Sequence, residues 1–181
     1  EIQRSAIEKL KSLMAGIRKS IFDGKSRNET LGNIASIYQP QTISSSDLET
    51  SGLYPVYGAN GIIGRYSKYN HESEQVIITC RGNTCGTVNY SSQKSWITGN
   101  SMVINCDDAT VSTNKRYLFH YLSYCDFSSI ISGSGQPQIV REPLIKYKIY
   151  VPSPSKQSQI AKLLDCYMKQ IENCETILCL Y

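Results

Sequence analysis

Three short stretches of this chain concentrate side chains that match the hydrogen-bonding edges of nucleobases. CRGNTCGT places Arg81, Asn83 and Thr84 in a glycine-flanked turn after a strand-like run. TGNSM adds Asn100, and SGSGQPQI adds Gln136 and Gln138 on either side of Pro137. Arginine carries two parallel donors that fit the N7 and O6 acceptors of guanine, while Asn and Gln pair both ways with N6 and N7 of adenine. Lys68, Lys94 and Lys146, with Lys115 and Arg116, are of the type that holds phosphates. The alternative for any one of these residues is a brace for its own loop.

Other chemistries fit less well. Gly58, Gly61 and Gly64 lack the G-x-G start of a dinucleotide turn, and Asn60-Gly61 reads instead as a tight hairpin. No G-x-x-x-x-G-K-[ST] phosphate loop is present. Ser91-x-x-Lys94 matches the bare S-x-x-K of serine acyltransferases, without the Lys-Thr-Gly element that accompanies it. His71 and His120 provide little for a triad. Cys80 and Cys85 lack the second ligand pair that a zinc site wants, so no metal is expected. No catalytic residue is assigned.

The chain has 181 residues, 40% hydrophobic and 19% charged, which suits one core domain with an appendage. It shows neither a membrane-length apolar run nor a secretory signal, so no membrane association is expected. Seven cysteines follow no disulfide framework, and Cys166 and Cys174 fall at apolar helical positions. Reduced thiols in the cytoplasm are the expected state. Net charge is +4, but between residues 112 and 160 six Lys and Arg residues face only Asp126 and Glu142, interleaved with tyrosines. That stretch suits a polyanion surface or an ordinary solvated face equally.

The elements that must position these loops are legible in part. Ile7, Leu10, Met14, Ile17 and Ile21 step three, four, three and four, a heptad seam closed by Asp23-Gly24. Ile160, Leu164, Tyr167, Ile171, Cys174, Leu178 and Tyr181 form a second seam after Pro152 and Pro154. The two helices are expected to lie antiparallel as a coiled-coil stalk, or each to pair with another chain. Between them SEQVIITC, GTVNY, SWITGNSMVINC and IKYKIYVP read as strands, with one helix over 115–125. The expected fold class is α+β: a β-rich domain with short helices over 25–154, flanked by coiled-coil helices at 1–24 and 155–181.

YPVYGANGIIG, ITCRGNTCGTVNY, GSGQPQI and VPSPSKQSQIAKLLD, in this order, resemble the specificity subunits of type I restriction–modification systems. The resemblance spans almost the whole chain. It implies one target-recognition domain for double-stranded DNA, with helices that set the distance between the halves of a bipartite site. It also implies two partners: a methyltransferase subunit, which uses S-adenosylmethionine to methylate adenine, and an ATP-using restriction subunit. Neither cofactor is expected on this chain. A family subunit is about twice this length, so the chain reads as a C-terminal half, or as a half-subunit that pairs with itself as a homodimer. Because GSGQPQI recurs in members that read different sequences, Gln138 is expected to brace buried backbone groups. Gln136 stays open between that role and contact with DNA or the methyltransferase. The competing reading is a coiled-coil assembly or regulatory module that does not bind DNA.

Overall fold

The computed structural model describes residues 2–59 and 61–179. The chain starts with helix α1 (Ile2–Phe22), and the short β1 (Glu29–Thr30), α2 (Leu31–Ile34) and β2 (Ser36–Tyr38) follow. Next come β3 (Tyr54–Gly58), β4 (Gly61–Tyr66), β5 (Val76–Thr79), β6 (Val88–Tyr90), β7 (Trp96–Ile97) and β8 (Ser101–Asn105). Then α3 (Lys115–Leu122), β9 (Ile131–Ser132), β10 (Gln138–Ile139), α4 (Arg141–Ile145) and β11 (Lys148–Ile149) lead into the long α5 (Pro154–Cys179).

An antiparallel sheet of order β2-β8-β5-β6 forms the centre, with a second sheet of order β4-β3-β7 beside it. Both faces of the central strands are covered, which is why their sequences are continuous apolar runs rather than alternating ones. Val76 and Ile78 of β5, with Met102 and Ile104 of β8, face the helices, while Ile77 and Val103 face Tyr57 and Ile97 of the second sheet. Period-2 alternation thus divides one strand between two apolar clusters.

The strand expectations meet the structure at β5, β6, β7 and β8. IKYKIYVP differs: Ile145 ends α4, and only Lys148–Ile149 is strand. Pro143 sits within the first turn of α4, where its missing N–H leaves no bond unmade. The helix expected over 115–125 stops at Leu122. Asn114 opens it by accepting the Tyr117 N–H at 2.9 Å, and Ser123 closes it with its hydroxyl on the Phe119 carbonyl at 2.7 Å. Of the Asn60-Gly61 turn, Asn60 lies outside the described residues; Gly61 takes φ +83° and the β3–β4 hairpin forms.

Helices α1 and α5 pack antiparallel within the single chain. Lys11 pairs with Glu175 at 2.7 Å, and Ile21 lines one cavity with Ile160. Ile7 and Met14 are buried, Leu10 and Ile17 half-buried, and Ile160, Leu164 and Ile171 buried. Tyr167 and Met168 are both half-buried, but of the two it is Met168, outside the expected seam, that packs on the core. A 3.6-residue helix drifts from a strict heptad, and α3 docks where the drift brings Met168 inward. Leu178 and Tyr181 of the expected seam carry no described side chain. The stalk is not separate from the domain: Phe22, Leu164 and Met168 share one cluster with Tyr117 and Leu118 of α3.

The helices enter and leave the domain through a clasp. Strand β1 pairs with β11, and the Asn28 amide exchanges two hydrogen bonds with Val151, at 2.9 and 2.8 Å. Helix α5 begins at a proline, where the missing N–H is harmless.

Candidate nucleic-acid interface

The β5–β6 connection is shaped by its glycines. Thr79 donates to the Thr87 carbonyl and accepts from the Gly86 N–H, both at 2.8 Å, with Gly86 at φ +92°. This is a bulge that needs a residue in the left-handed region, and it tips the loop outward. Cys85 N–H to Gly82 carbonyl and Thr87 N–H to Thr84 carbonyl, each 3.0 Å, close the turn. Arg81 and Asn83 are exposed on it. Thr84 is half-buried, and its hydroxyl donates to the Ala59 carbonyl at 3.3 Å, so it braces this loop against the β3–β4 turn.

Two further loops reach the same end. The Asn100 carbonyl accepts the Cys80 N–H at 2.9 Å, placing the half-buried Asn100 beside the start of the turn. At Gly99 a Cβ would stand 2.8 Å from the Pro40 carbonyl, so glycine there lets the segment after β2 close in. SGSGQPQI forms the β9–β10 hairpin, with Gly133 at φ +89° packed against the Gln136 carbonyl. Its returning strand continues the sheet: Gly82 N–H donates to Pro137, Ile139 N–H donates to Cys80, each at 3.0 Å, and Arg81 pairs with Gln138.

The bracing assigned to Gln138 is therefore performed by backbone. Its side chain is exposed, as is that of Gln136 at the hairpin tip. Directly paired residues on antiparallel strands project to one face, so Arg81 and Gln138 stand side by side. Arg81, Asn83, Thr84, Asn100 and Gln136 thus converge at one end of the domain, although they come from three separate loops.

The lysines divide differently. Lys68 follows β4 at the open end of the β3–β4 hairpin, away from its turn. Lys94 sits just before β7 at the same far end, at φ +48°, with its N–H on the Glu72 carbonyl. Lys146 ends α4 and pairs with Glu142 at 3.0 Å, both exposed. Lys115 and Arg116 are engaged in holding the fold: Lys115 reaches Asp107 at 2.5 Å, and Arg116 reaches Asp165 at 2.5 Å over the Tyr90 ring. Against the upward push of burial, the Lys115 ammonium, the Ser73 hydroxyl and the Gln75 side-chain amide hold the Asp107 carboxyl below its ordinary range.

Ser91 is 1% exposed, and its hydroxyl accepts the Gln75 N–H, so this side chain is part of the sheet rather than an open nucleophile. Burial pushes the Cys80 and Cys85 thiols up, which keeps the base of the turn neutral. Among the described residues no three His, Cys, Asp or Glu side chains gather as metal ligands. Sequence reasoning counted Arg141 only as a charge. Its position directly after GSGQPQIV is the signal that places it at this end, and its Nε donates to the Ile37 carbonyl at 2.6 Å.

Known proteins share this fold. The chain is 30% identical over 143 residues to the type I restriction enzyme EcoprrI specificity subunit of Escherichia coli, spanning 77% of this chain and 35% of that protein. The crystal structure of a type I restriction–modification S subunit from M. genitalium superposes with a TM-score of 0.70 at 16% identity, over 80% of this chain and 39% of its own. The HsdS subunit from Thermoanaerobacter tengcongensis gives 0.65 at 18%, over 97% and 47%. The chain thus spans about a third of the curated relative and under half of either solved chain. Residues 25–178 match the family described as the type I restriction modification DNA specificity domain, and the chain belongs to that family.

Proposed function

We propose that this chain is the sequence-reading half of a type I restriction–modification specificity subunit, with the domain over 25–154 binding double-stranded DNA. The observation that supports this most strongly is the convergence of Arg81, Asn83, Asn100 and Gln136 at one end of the domain, while Lys115 and Arg116, paired with Asp107 and Asp165, lie elsewhere. Exposed Arg, Asn and Gln on braced loops suit base edges, because a held loop loses little entropy on binding. Helices α1 and α5 carry the domain and mate with one another. Seam side chains occupied within one chain are not available to a second copy, so a homodimer would have to use another face.

The chain itself is non-catalytic in this reading and holds no cofactor. It directs an adenine methyltransferase subunit and a restriction subunit to a bipartite site in the cytoplasm. No helix among the described residues is long and apolar enough to cross a membrane. The family match favours recognition over a purely scaffolding role. Adenine-methylation mapping of host genomes with and without the gene tests the proposal. One interrupted motif should vanish on deletion, and an identical methylome would refute the assignment.

A further inference from the structure

Between the β5–β6 turn and the start of α4 lies a slot of 180 Å³. Small-molecule sites run to about 300–1,000 Å³, so this one is too small for a nucleotide cofactor. It is several times the roughly 30 Å³ of one water. Its floor is apolar and buried, from Cys80, Met102 and Ile139, at 1%, 4% and 2% exposure. Its exposed rim is mostly polar, from Gln39, Arg81, Gln138 and Arg141, with Val140 as the apolar exception.

Arg141 is held in a particular way. Its Nε is spent on the Ile37 carbonyl at 2.6 Å, which leaves both terminal nitrogens as a fork with a settled orientation. Arg81 makes no ion pair among the described residues, and its backbone pairing with Gln138 sets the two side chains on one face. The lining thus offers two guanidinium groups and two amides, of which Gln39 is spent on the Gly99 carbonyl, with no carboxylate among them.

We propose that this slot reads one guanine, with Arg141 as a specificity-determining residue beside Arg81. The chemistry selects that base. The charged donors call for paired acceptors, which the guanine edge presents at O6 and N7 in the major groove. A phosphate carries a full charge whose hydration an apolar floor cannot replace, whereas O6 and N7 are neutral acceptors whose water bonds the guanidinium donors replace. A held fork also avoids part of the side-chain entropy that an unanchored arginine gives up on binding. The inference rests on the DNA-reading function proposed above and names its base preference.

The test is methylation mapping on host genomic DNA in cells carrying the wild-type gene, Arg141→Ala or Arg141→Lys. Both variants should relax one guanine of this chain's half-site, with discrimination there falling about 5- to 150-fold and the other positions kept. Lysine retains the charge but not the fork, so it should not rescue the preference. It also supplies a reading if the alanine chain fails to fold. A guanine retained at full stringency in a folded variant overturns the inference, as does a loss spread evenly over all positions. A wild-type half-site without guanine overturns it while leaving DNA reading intact. A wild-type gene that writes no motif overturns both.

Discussion

His120 is fully buried where α1, α3 and α5 meet, and its protonation is set by its neighbours. Arg18 donates to Nδ1 at 3.2 Å, so that nitrogen must be the acceptor. Nε2 then carries the hydrogen and donates to Asp165 at 2.7 Å. Burial, with Arg18 and Arg116 close by, pushes the imidazole down to about 4 against the opposing pull of Asp165. Asp165 is held low because Arg116 and His120 outweigh its own burial. Between pH 6.5 and about 4 the unfolded chain binds a proton that the folded chain refuses. Stability therefore falls as pH drops through that window, by on the order of 3 kcal/mol from this group. Urea midpoints at pH 7 and 4.5 should differ strongly in the wild type and much less in His120→Gln. His71, also lowered by burial and by Lys115, leaves a residual slope. An equal pH dependence in the variant would show that His120 is not the group responsible.

At the scale of elements, the helix pair is held by its inner face rather than by surface charge. Leu164 is wholly buried among α1, α3 and α5, and its truncation leaves a cavity that these elements cannot close without shifting. Leu164→Ala should lower unfolding free energy by about 2–5 kcal/mol. Tyr167→Ala, on the neighbouring stripe that does not pack on the core cluster, should cost under about 1 kcal/mol. Denaturant titration of both variants decides between the heptad and the observed seam, since comparable losses would restore Tyr167 to the interior. The Lys11–Glu175 pair is exposed on both sides, and pairs of that kind contribute only about 0–1 kcal/mol. Helix orientation therefore depends on apolar packing and on the Arg18–His120–Asp165–Arg116 chain of contacts.

The whole molecule is polarised. Strands β5 and β8 pair through the centre with almost every side chain buried, which gives a rigid body whose two ends differ in composition. One end holds the glycine-shaped loops with exposed Arg, Asn and Gln; the other holds Lys68, Lys94 and the Lys115–Asp107 pair. A footprint from DNA should therefore be one-sided. Hydrogen exchange measured with a duplex carrying the mapped motif should slow in residues 81–84 and 133–141. Residues 66–70 and 92–95 should exchange as before. Protection at Lys68 and Lys94 instead would reverse the polarity argued here.

Much of this was written locally in the chain. Both long helices follow from apolar residues at helical spacing and from Gly24 as a stop, because helix periodicity and capping are properties of neighbouring residues. The same is true of the β3–β4 turn and of the apolar runs that became β5 and β8. The candidate reading residues were legible as types, since Arg, Asn and Gln between glycines have little to pack against.

Their meeting place was not legible. It depends on bonds between distant segments, Gly82 to Pro137 and Cys80 to Asn100, that no local pattern encodes. Lys68 and Lys94 have the right chemistry for phosphates, but strand register carries them to the opposite end. Met168 displaced Tyr167 because α3 decides which stripe of α5 turns inward. Arg141 became a directed donor only through a carbonyl on β2, more than a hundred residues earlier in the chain. Sequence by itself determined which elements exist and what their loops can donate. Tertiary structure alone decided which donors share a face, because only the folded chain brings residues so far apart into one geometry.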